Sequence, residues 1–132
     1  MRLDAESCWS RLAGSDHGVL GTVHPERGVD LVPVVLAVTA DRRLAIPVDT
    51  VKPKASTRLQ RVANLERDPR CVVLVDRYDP DWSKLWWVRV AGTAIVVEGM
   101  APELHRFEQY ARPGAVGSTI LIAPTEVTGW SA

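Results

Sequence analysis

The pattern of apolar and polar positions predicts short strands joined by turns. Apolar residues dominate 18–24 and 29–39, and the Pro-Glu-Arg-Gly stretch between them is typical of a hairpin turn. A polar turn at 41–43 then leads into a third apolar run at 44–48. We therefore expect three consecutive antiparallel strands that form a meander.

More strands are predicted in the second half of the chain. An apolar run at 71–76 and a long run at 84–98 both have the composition of strands, and 118–123 forms another before the tail at 125–132. Gly92 lies in the middle of the long run, where glycine is typical of a bulge or bend. The bend would let one strand serve two faces of a barrel.

Three short helices are predicted between these strands, at 4–13, 56–67 and 101–111. About six short strands and few helices favour an antiparallel barrel over alternating strands and helices. A length of 132 residues fits a single domain, 1–132.

Composition excludes several classes of protein. Sixteen basic and sixteen acidic residues cancel, which argues against a nucleic-acid partner. The first ten residues lack an apolar segment and no apolar run approaches 18 residues, so we expect a cytoplasmic protein with no membrane partner. Cys8 and Cys71 are too few for a disulfide scaffold, and no Cys/His cluster predicts a metal site.

Positive charge is concentrated in one segment of the neutral chain. Residues 52–70 carry six basic side chains and two acidic ones. Helical spacing places Lys54, Arg58 and Arg61 on one side at the start of the predicted helix, where backbone N–H groups also attract anions. The segment is either a phosphate site for a small molecule or a solvated helix face whose charges pair with Asp49 and Glu66.

The tryptophan-rich strand at 84–98 offers a second candidate surface. Period-two alternation gives a row of Trp86, Val88, Val90, Ala94 and Val96 and an opposite row of Leu85, Trp87, Arg89, Ala91 and Thr93. Trp87 and Arg89 combine an aromatic plane with a cation, which suits a planar anionic heterocycle. A dimer interface has the same composition, and a pocket at such an interface would use the same residues.

No set of residues predicts catalysis by the protein's own side chains. His17, His24 and His105 are scattered, and no serine lies in a nucleophile elbow. The catalytic residues therefore stay unassigned, and any redox chemistry has to come from a bound cofactor.

Several motifs resemble one known family. They are GVLGTV at 18–23, a strand containing Pro33, IPVD followed by TVKPK at 46–54, NLERDPR followed by CVVLVD at 64–76, LWWVRVAG at 85–92 and a closing TGWSA. Together they resemble the split-β-barrel flavin and deazaflavin oxidoreductases, the grouping that includes pyridoxamine 5′-phosphate oxidase. Within it, the sequence is similar to an actinobacterial branch of probable F420-dependent enzymes, and the resemblance runs through essentially the whole chain.

The resemblance implies a mainly β fold with small helices, a six-stranded antiparallel split β-barrel that forms a homodimer with two cofactor sites at the subunit interface. In relatives, basic residues after the third strand hold the phosphate side of the cofactor, and an aromatic residue lies at the position of Trp87. The cofactor-binding residues implied here are Asp49, Thr50, Lys52, Pro53, Lys54, Arg58, Arg61, Asn64, Trp87 and Arg89. The closing TGWSA lacks the Arg/His signature of the pyridoxamine-phosphate oxidases, which argues against vitamin synthesis.

The function implied is an F420-dependent oxidoreductase that transfers hydride to an unsaturated small-molecule substrate. Three alternatives stay open: an FMN-dependent oxidase or reductase, a non-catalytic binder of a flavin, deazaflavin or tetrapyrrole, and a structural dimer module. Both F420 and FMN would present an anion to the same basic turn. We expect the substrate pocket to include Trp130, the loop 77–83 and the partner chain.

Overall fold

The protein folds mainly as antiparallel β sheet. The computed structural model describes residues 1–49 and 59–132, with Asp49 described by its backbone alone. The strands are β1 His17–His24, β2 Gly28–Val35, β3 Ala37–Val38, β4 Leu44–Asp49, β5 Arg70–Arg77, β6 Trp86–Glu98 and β7 Val116–Ser131. The helices are α1 Ala5–Ala13 and α2 Gln60–Arg67, with short 3₁₀ turns at Trp82–Lys84, Pro102–Arg106 and Glu108–Tyr110.

The strands form one sheet in the order β2-β1-β5-β6-β7-β4-β3. The prediction of a mainly antiparallel β fold with small helices is confirmed, but the sheet described here has seven strands and does not close into a barrel. The seventh strand arises because the predicted strand 29–39 divides at Leu36 into β2 and β3. The predicted three-strand meander was therefore wrong, since β4 pairs with β3 and β7 instead of β2. The buried Leu36 donates its N–H to the Asp16 carbonyl at 3.1 Å, and the chain beyond it pairs with β4 instead of β1.

The predicted bend in β6 is confirmed. The pairing of β6 with β7 shifts register between Ala91 and Gly92, which marks a bulge. A Cβ at Gly92 would collide with the Ala123 carbonyl oxygen, so the close approach of β7 requires glycine. The run 118–123 and the tail after it belong to the single long strand β7.

The predicted helix 101–111 was wrong. Two 3₁₀ turns replace it, because Phe107 between them has an extended backbone with φ −86° and ψ 125°. Phe107 packs against the cluster that contains the buried Leu104, and its ring meets the Tyr110 ring edge to face with centroids 6.3 Å apart. The first helix agrees with its prediction and is capped by Asp4, while positions 56–58 of the second lie outside the described residues.

The main core lies on one face of the sheet, called here the inner face. Buried side chains from β1, β2, β4, β5, β6 and β7 meet Cys8 and Leu12 of α1 and Leu65 of α2. The two helices therefore cover the inner face and leave much of the opposite, outer face to solvent. No helix in the described part of the chain is long and apolar enough to span a membrane.

Candidate functional site

The helix α2 is held to the sheet by a buried amide. Asn64 is 1% exposed, and its Nδ2 donates to Thr22 Oγ1 on β1 and to Asp30 Oδ2 on β2, both at 2.9 Å. Its Oδ1 accepts from Gln60 Nε2 at 2.8 Å. The structure thus gives Asn64 an anchoring role within the chain, and its contact with a cofactor stays a prediction.

The anchor continues through Asp30 to the β1–β2 turn. Arg27 donates to both carboxylate oxygens of Asp30 at 3.0 Å. These bonds from Arg27, and then the bond from Asn64, hold the pKa of Asp30 below its usual value. His24 lies in the same turn, where its Nδ1 accepts the N–H groups of Glu26 and Arg27 at 3.1 and 3.0 Å. The position of α2 is therefore fixed by polar contacts as well as by Leu65.

Arg61 lies three positions before Asn64 and is half-buried. Its Nε is buried and has no hydrogen-bond partner among residues 1–49 and 59–132. Burial lowers the pKa of Arg61, and nearby Tyr110 acts in the opposite direction. A buried donor such as this Nε is costly when it has no partner, and none is present among the described residues, so the position fits an anion that accepts its hydrogen bond.

The predicted basic segment adjoins Arg61 along the chain. Its residues Thr50, Lys52, Pro53, Lys54 and Arg58 lie outside the described residues, as does the Asp49 side chain. β4 ends at Asp49, which pairs with Val116, and Val116 packs in the same cluster as Tyr110. Tyr110 also lies near Arg61, so the last described residue before the basic segment lies in the same region as Arg61.

The structure brings Trp87 and Arg89 together on the outer face. The guanidinium carbon of Arg89 lies 5.4 Å from the centre of the Trp87 ring, within cation–π range. Trp87 is half-buried and pairs with Trp130 on β7 and Asp76 on β5. An aromatic surface with an attached cation is present where alternation predicted it.

An apolar surface on the outer face was missed by the sequence reasoning. Leu31 of β2, Gly21 of β1, Val72 of β5 and Ala91 of β6 form one cross-strand row. Leu31 is 71% exposed, and its Cδ2 would lie 3.2 Å from a Cβ at Gly21, so its side chain leans over that glycine. The sequence feature that could have revealed this surface is the alternation within 28–35, which places large apolar side chains on both faces of β2.

The loop between β5 and β6 presents two exposed aromatic rings. Tyr78 and Trp82 meet edge to face with centroids 6.3 Å apart. Asp79 Oδ1 accepts the Asp81 N–H at 2.9 Å, and Asp81 Oδ1 accepts the Ser83 N–H at 3.1 Å, so local side-chain bonds order the loop. The loop follows Arg77, which pairs with Trp86, so it emerges at the end of the sheet that carries Trp87 and Trp130. Its part in a substrate pocket stays a prediction.

A surface groove of about 370 Å³ lies elsewhere, between the turn 39–43 and the segment 97–103. Val97 and Leu121 line it, together with Asp41 and Arg43, which form an ion pair. None of the described residues predicted to bind a cofactor lines it.

Comparisons with known proteins agree with this geometry at the level of the fold. No protein-family model matches the sequence, and no curated protein matches it. An FAD binding protein from Mycobacterium smegmatis is similar with a TM-score of 0.69 and 19% identity, over 98% of this chain and 96% of that one. An FAD-binding protein from Mesorhizobium loti has a TM-score of 0.70 and 18% identity, over 98% and 93%.

A third solved structure is described as a putative pyridoxamine 5′-phosphate oxidase from Corynebacterium glutamicum. It has a TM-score of 0.62 and 20% identity, over 98% of this chain and 90% of that one. At 18–20% sequence identity, the similarity to these three structures establishes the fold alone. The chain therefore has the fold of the flavin-binding and pyridoxamine 5′-phosphate oxidase-like split-barrel proteins that its motifs resemble.

Proposed function

We propose that this protein is an oxidoreductase that binds F420 as its redox cofactor, with FMN as the alternative. The observation that carries the proposal is Arg61, a half-buried guanidinium whose Nε has no partner among the described residues. Two proteins with the same fold are described as FAD-binding, which supports a flavin-type ligand. The choice of F420 rests on the motifs that resemble the F420-dependent branch.

The residues present fit an anionic cofactor. Lys52 and Lys54 precede Arg61 in a segment with a strong excess of positive charge, while the whole chain is neutral. Such a cluster attracts the phosphate groups that F420 and FMN share. Asp49, Thr50, Pro53, Arg58 and Asn64 complete the proposed set around the anion, and Trp87 with Arg89 lies beside the ring. When bound, F420 would supply the hydride, and the protein would bind and orient the cofactor and exclude water from it.

We also propose that the protein works as a homodimer joined through the outer face. Val29 and Leu31 of β2 are 62% and 71% exposed, and Val72 and Leu74 of β5 continue the same surface. A two-fold axis would place this surface against itself and remove its apolar area from water. Trp87 and Arg89 would then lie at the subunit interface. The proposal includes a small-molecule substrate, a cytoplasmic location and no nucleic-acid or membrane partner.

Fluorescence titration with F420 and with FMN tests the proposal. Wild-type protein should bind at least one of them, and Arg61→Ala should weaken binding roughly 10- to 150-fold, the equivalent of about 1.5–3 kcal/mol for a charge-assisted hydrogen bond. Arg67→Ala is the matched control, because Arg67 is an exposed arginine on the same helix. Its affinity should stay within about twofold of wild type.

Two results would overturn the proposal: no affinity for either cofactor, or equal losses in the Arg61 and Arg67 variants. Turnover then separates an enzyme from a carrier, because a carrier would bind the cofactor tightly and oxidise or reduce nothing. Purified protein with stoichiometric flavin absorbance would favour FMN over F420.

A further inference from the structure

We propose that Arg89 and Trp87 bind the carboxylate and the conjugated plane of a planar monocarboxylate substrate. The inference deepens the proposed function and rests on it, since it names the class of molecule that accepts electrons at the same site. It gives Arg89, which the proposed function places beside the cofactor ring, a contact with the substrate, while Arg61 holds the anion of the cofactor.

Arg89 forms no ion pair with the described residues. Its side chain is exposed, and among the described residues no carboxylate lies within 4 Å of it and no acceptor takes its hydrogen bonds. Arg27, Arg42, Arg43 and Arg70, by contrast, each pair with an Asp or Glu at 3.0 Å or less. The five donors of Arg89 are therefore available to a ligand.

The aromatic contact holds the guanidinium of Arg89 near the end of the sheet. The centre of the Trp87 ring lies 5.4 Å from the guanidinium carbon. In the sheet, Trp87 lies opposite Trp130 of β7, which is 38% exposed. A cation that lies over a ring keeps the N–H groups of its edge free, and that edge matches the two oxygens of a carboxylate. The two indoles beside it offer a plane on which a conjugated ligand stacks.

The neighbouring charges favour a single negative charge on the ligand. Leu74 and Thr128 lie opposite Arg89, so its direct cross-strand neighbours are uncharged. Asp76 and Glu126 lie one step away on the same face, opposite Trp87 and Ala91. Two carboxylates at diagonal positions would repel a dianion such as a phosphate more strongly than a monocarboxylate.

Burial would strengthen the need for an anion. In the proposed dimer the outer face would lie against a second copy, so Arg89 would lose water while it lacks a partner among the described residues of its own chain. An unpaired charge that loses its water is strongly unfavourable, and a bound carboxylate would remove that penalty.

Calorimetric titration with benzoate and with its neutral isostere benzamide tests the inference, using protein saturated with F420 or FMN and protein without cofactor. Wild type should bind benzoate at least tenfold more tightly than benzamide. Arg89→Ala should lose that preference, and Arg89→Lys should keep only part of it because an ammonium lacks the planar fork. Arg77→Ala is the control, because Arg77 ends the adjacent strand β5 and already has a carboxylate partner, Asp79 of the following loop, at 3.8 Å. Its preference for benzoate should equal that of wild type.

The outcomes separate this inference from the proposed function. Loss of the preference for benzoate in Arg89→Ala that is saturated with cofactor, with an unchanged melting temperature, supports it. Equal affinity of wild type for benzoate and benzamide overturns it. It is also overturned if Arg89→Ala and Arg89→Lys weaken cofactor binding, or dissociate the dimer, without affecting benzoate. Benzoate selectivity without affinity for F420 or FMN would refute the proposed function while leaving the carboxylate site in place.

Discussion

Replacement of Asn64 by alanine should destabilise the protein more than any exposed change on α2. The substitution removes hydrogen bonds to Thr22, Asp30 and Gln60, two of which tie the helix to β1 and β2. Thr22 is 2% exposed, so its hydroxyl would lose this bond without full access to water. Leaving the buried Thr22 hydroxyl unsatisfied costs about 1–3 kcal/mol. The lost bonds to Asp30 and Gln60 add about 0.5 kcal/mol each, which brings the expected loss to about 2–4 kcal/mol.

Urea denaturation followed by circular dichroism measures this loss as a lower midpoint at constant slope. The melting temperature should fall by roughly 10 °C, since 1 kcal/mol corresponds to a few degrees in a domain of this size. Gln60→Ala is the matched control, because Gln60 is exposed and contacts the same amide from the first turn of α2. Its loss should stay below about 1 kcal/mol.

The cofactor provides a second readout of the same change. Arg61 lies one helical turn before Asn64, so loss of the anchor should also weaken binding of F420 or FMN. A stability within about 0.5 kcal/mol of wild type for Asn64→Ala would refute the view that the buried amide fixes α2.

Three further changes follow from the same contacts. Leu31→Lys places a charge on the apolar outer face and should convert the proposed dimer to a monomer in sedimentation velocity. Ile95→Lys is the control and should leave the dimer intact, because Ile95 is exposed but lies outside the apolar row of Leu31 and Val72. A wild-type monomer would refute the interface. Gly92→Ala should lower stability by at least about 2 kcal/mol in urea melts, because its Cβ would collide with the Ala123 carbonyl, and a neutral result would mean that β7 shifts freely. Arg70 lowers the pKa of Asp68 to about 2, so the stabilisation by this pair is complete above the unfolded value and is lost as the pH falls through about 2. Asp68→Asn should therefore melt lower than wild type at pH 6, and the difference should shrink as the pH falls towards 2; a constant difference would contradict the assignment.

Local patterns predicted the parts of the fold that local chemistry determines. The helix α1 follows from its capping Asp4 and the spacing of Cys8 and Leu12, and the bulge follows from glycine within an apolar run. The division of 29–39 at Leu36 depends on its bond to Asp16, which only the folded chain brings near. Sequence periodicity could not reveal it.

The candidate site shows the same limit. Trp87 and Arg89 could be paired from the sequence because residues two apart on a strand share a face. The buried Nε of Arg61, which lacks a partner among the described residues, could not be predicted in this way. Burial at that position depends on distant parts of the chain, and Tyr110, which acts on Arg61, lies 49 positions later. The anchoring role of Asn64 likewise depends on partners 42 and 34 positions away.

A crystal structure of the protein grown with F420, and a second grown with FMN, tests the central claim most directly. We expect one of them to show the ligand's anionic tail within hydrogen-bond distance of the Arg61 guanidinium and its ring beside Trp87 at a two-fold interface. A ligand bound on another surface, or a protein side chain that fills the space beside Arg61 under saturating ligand, would contradict the account.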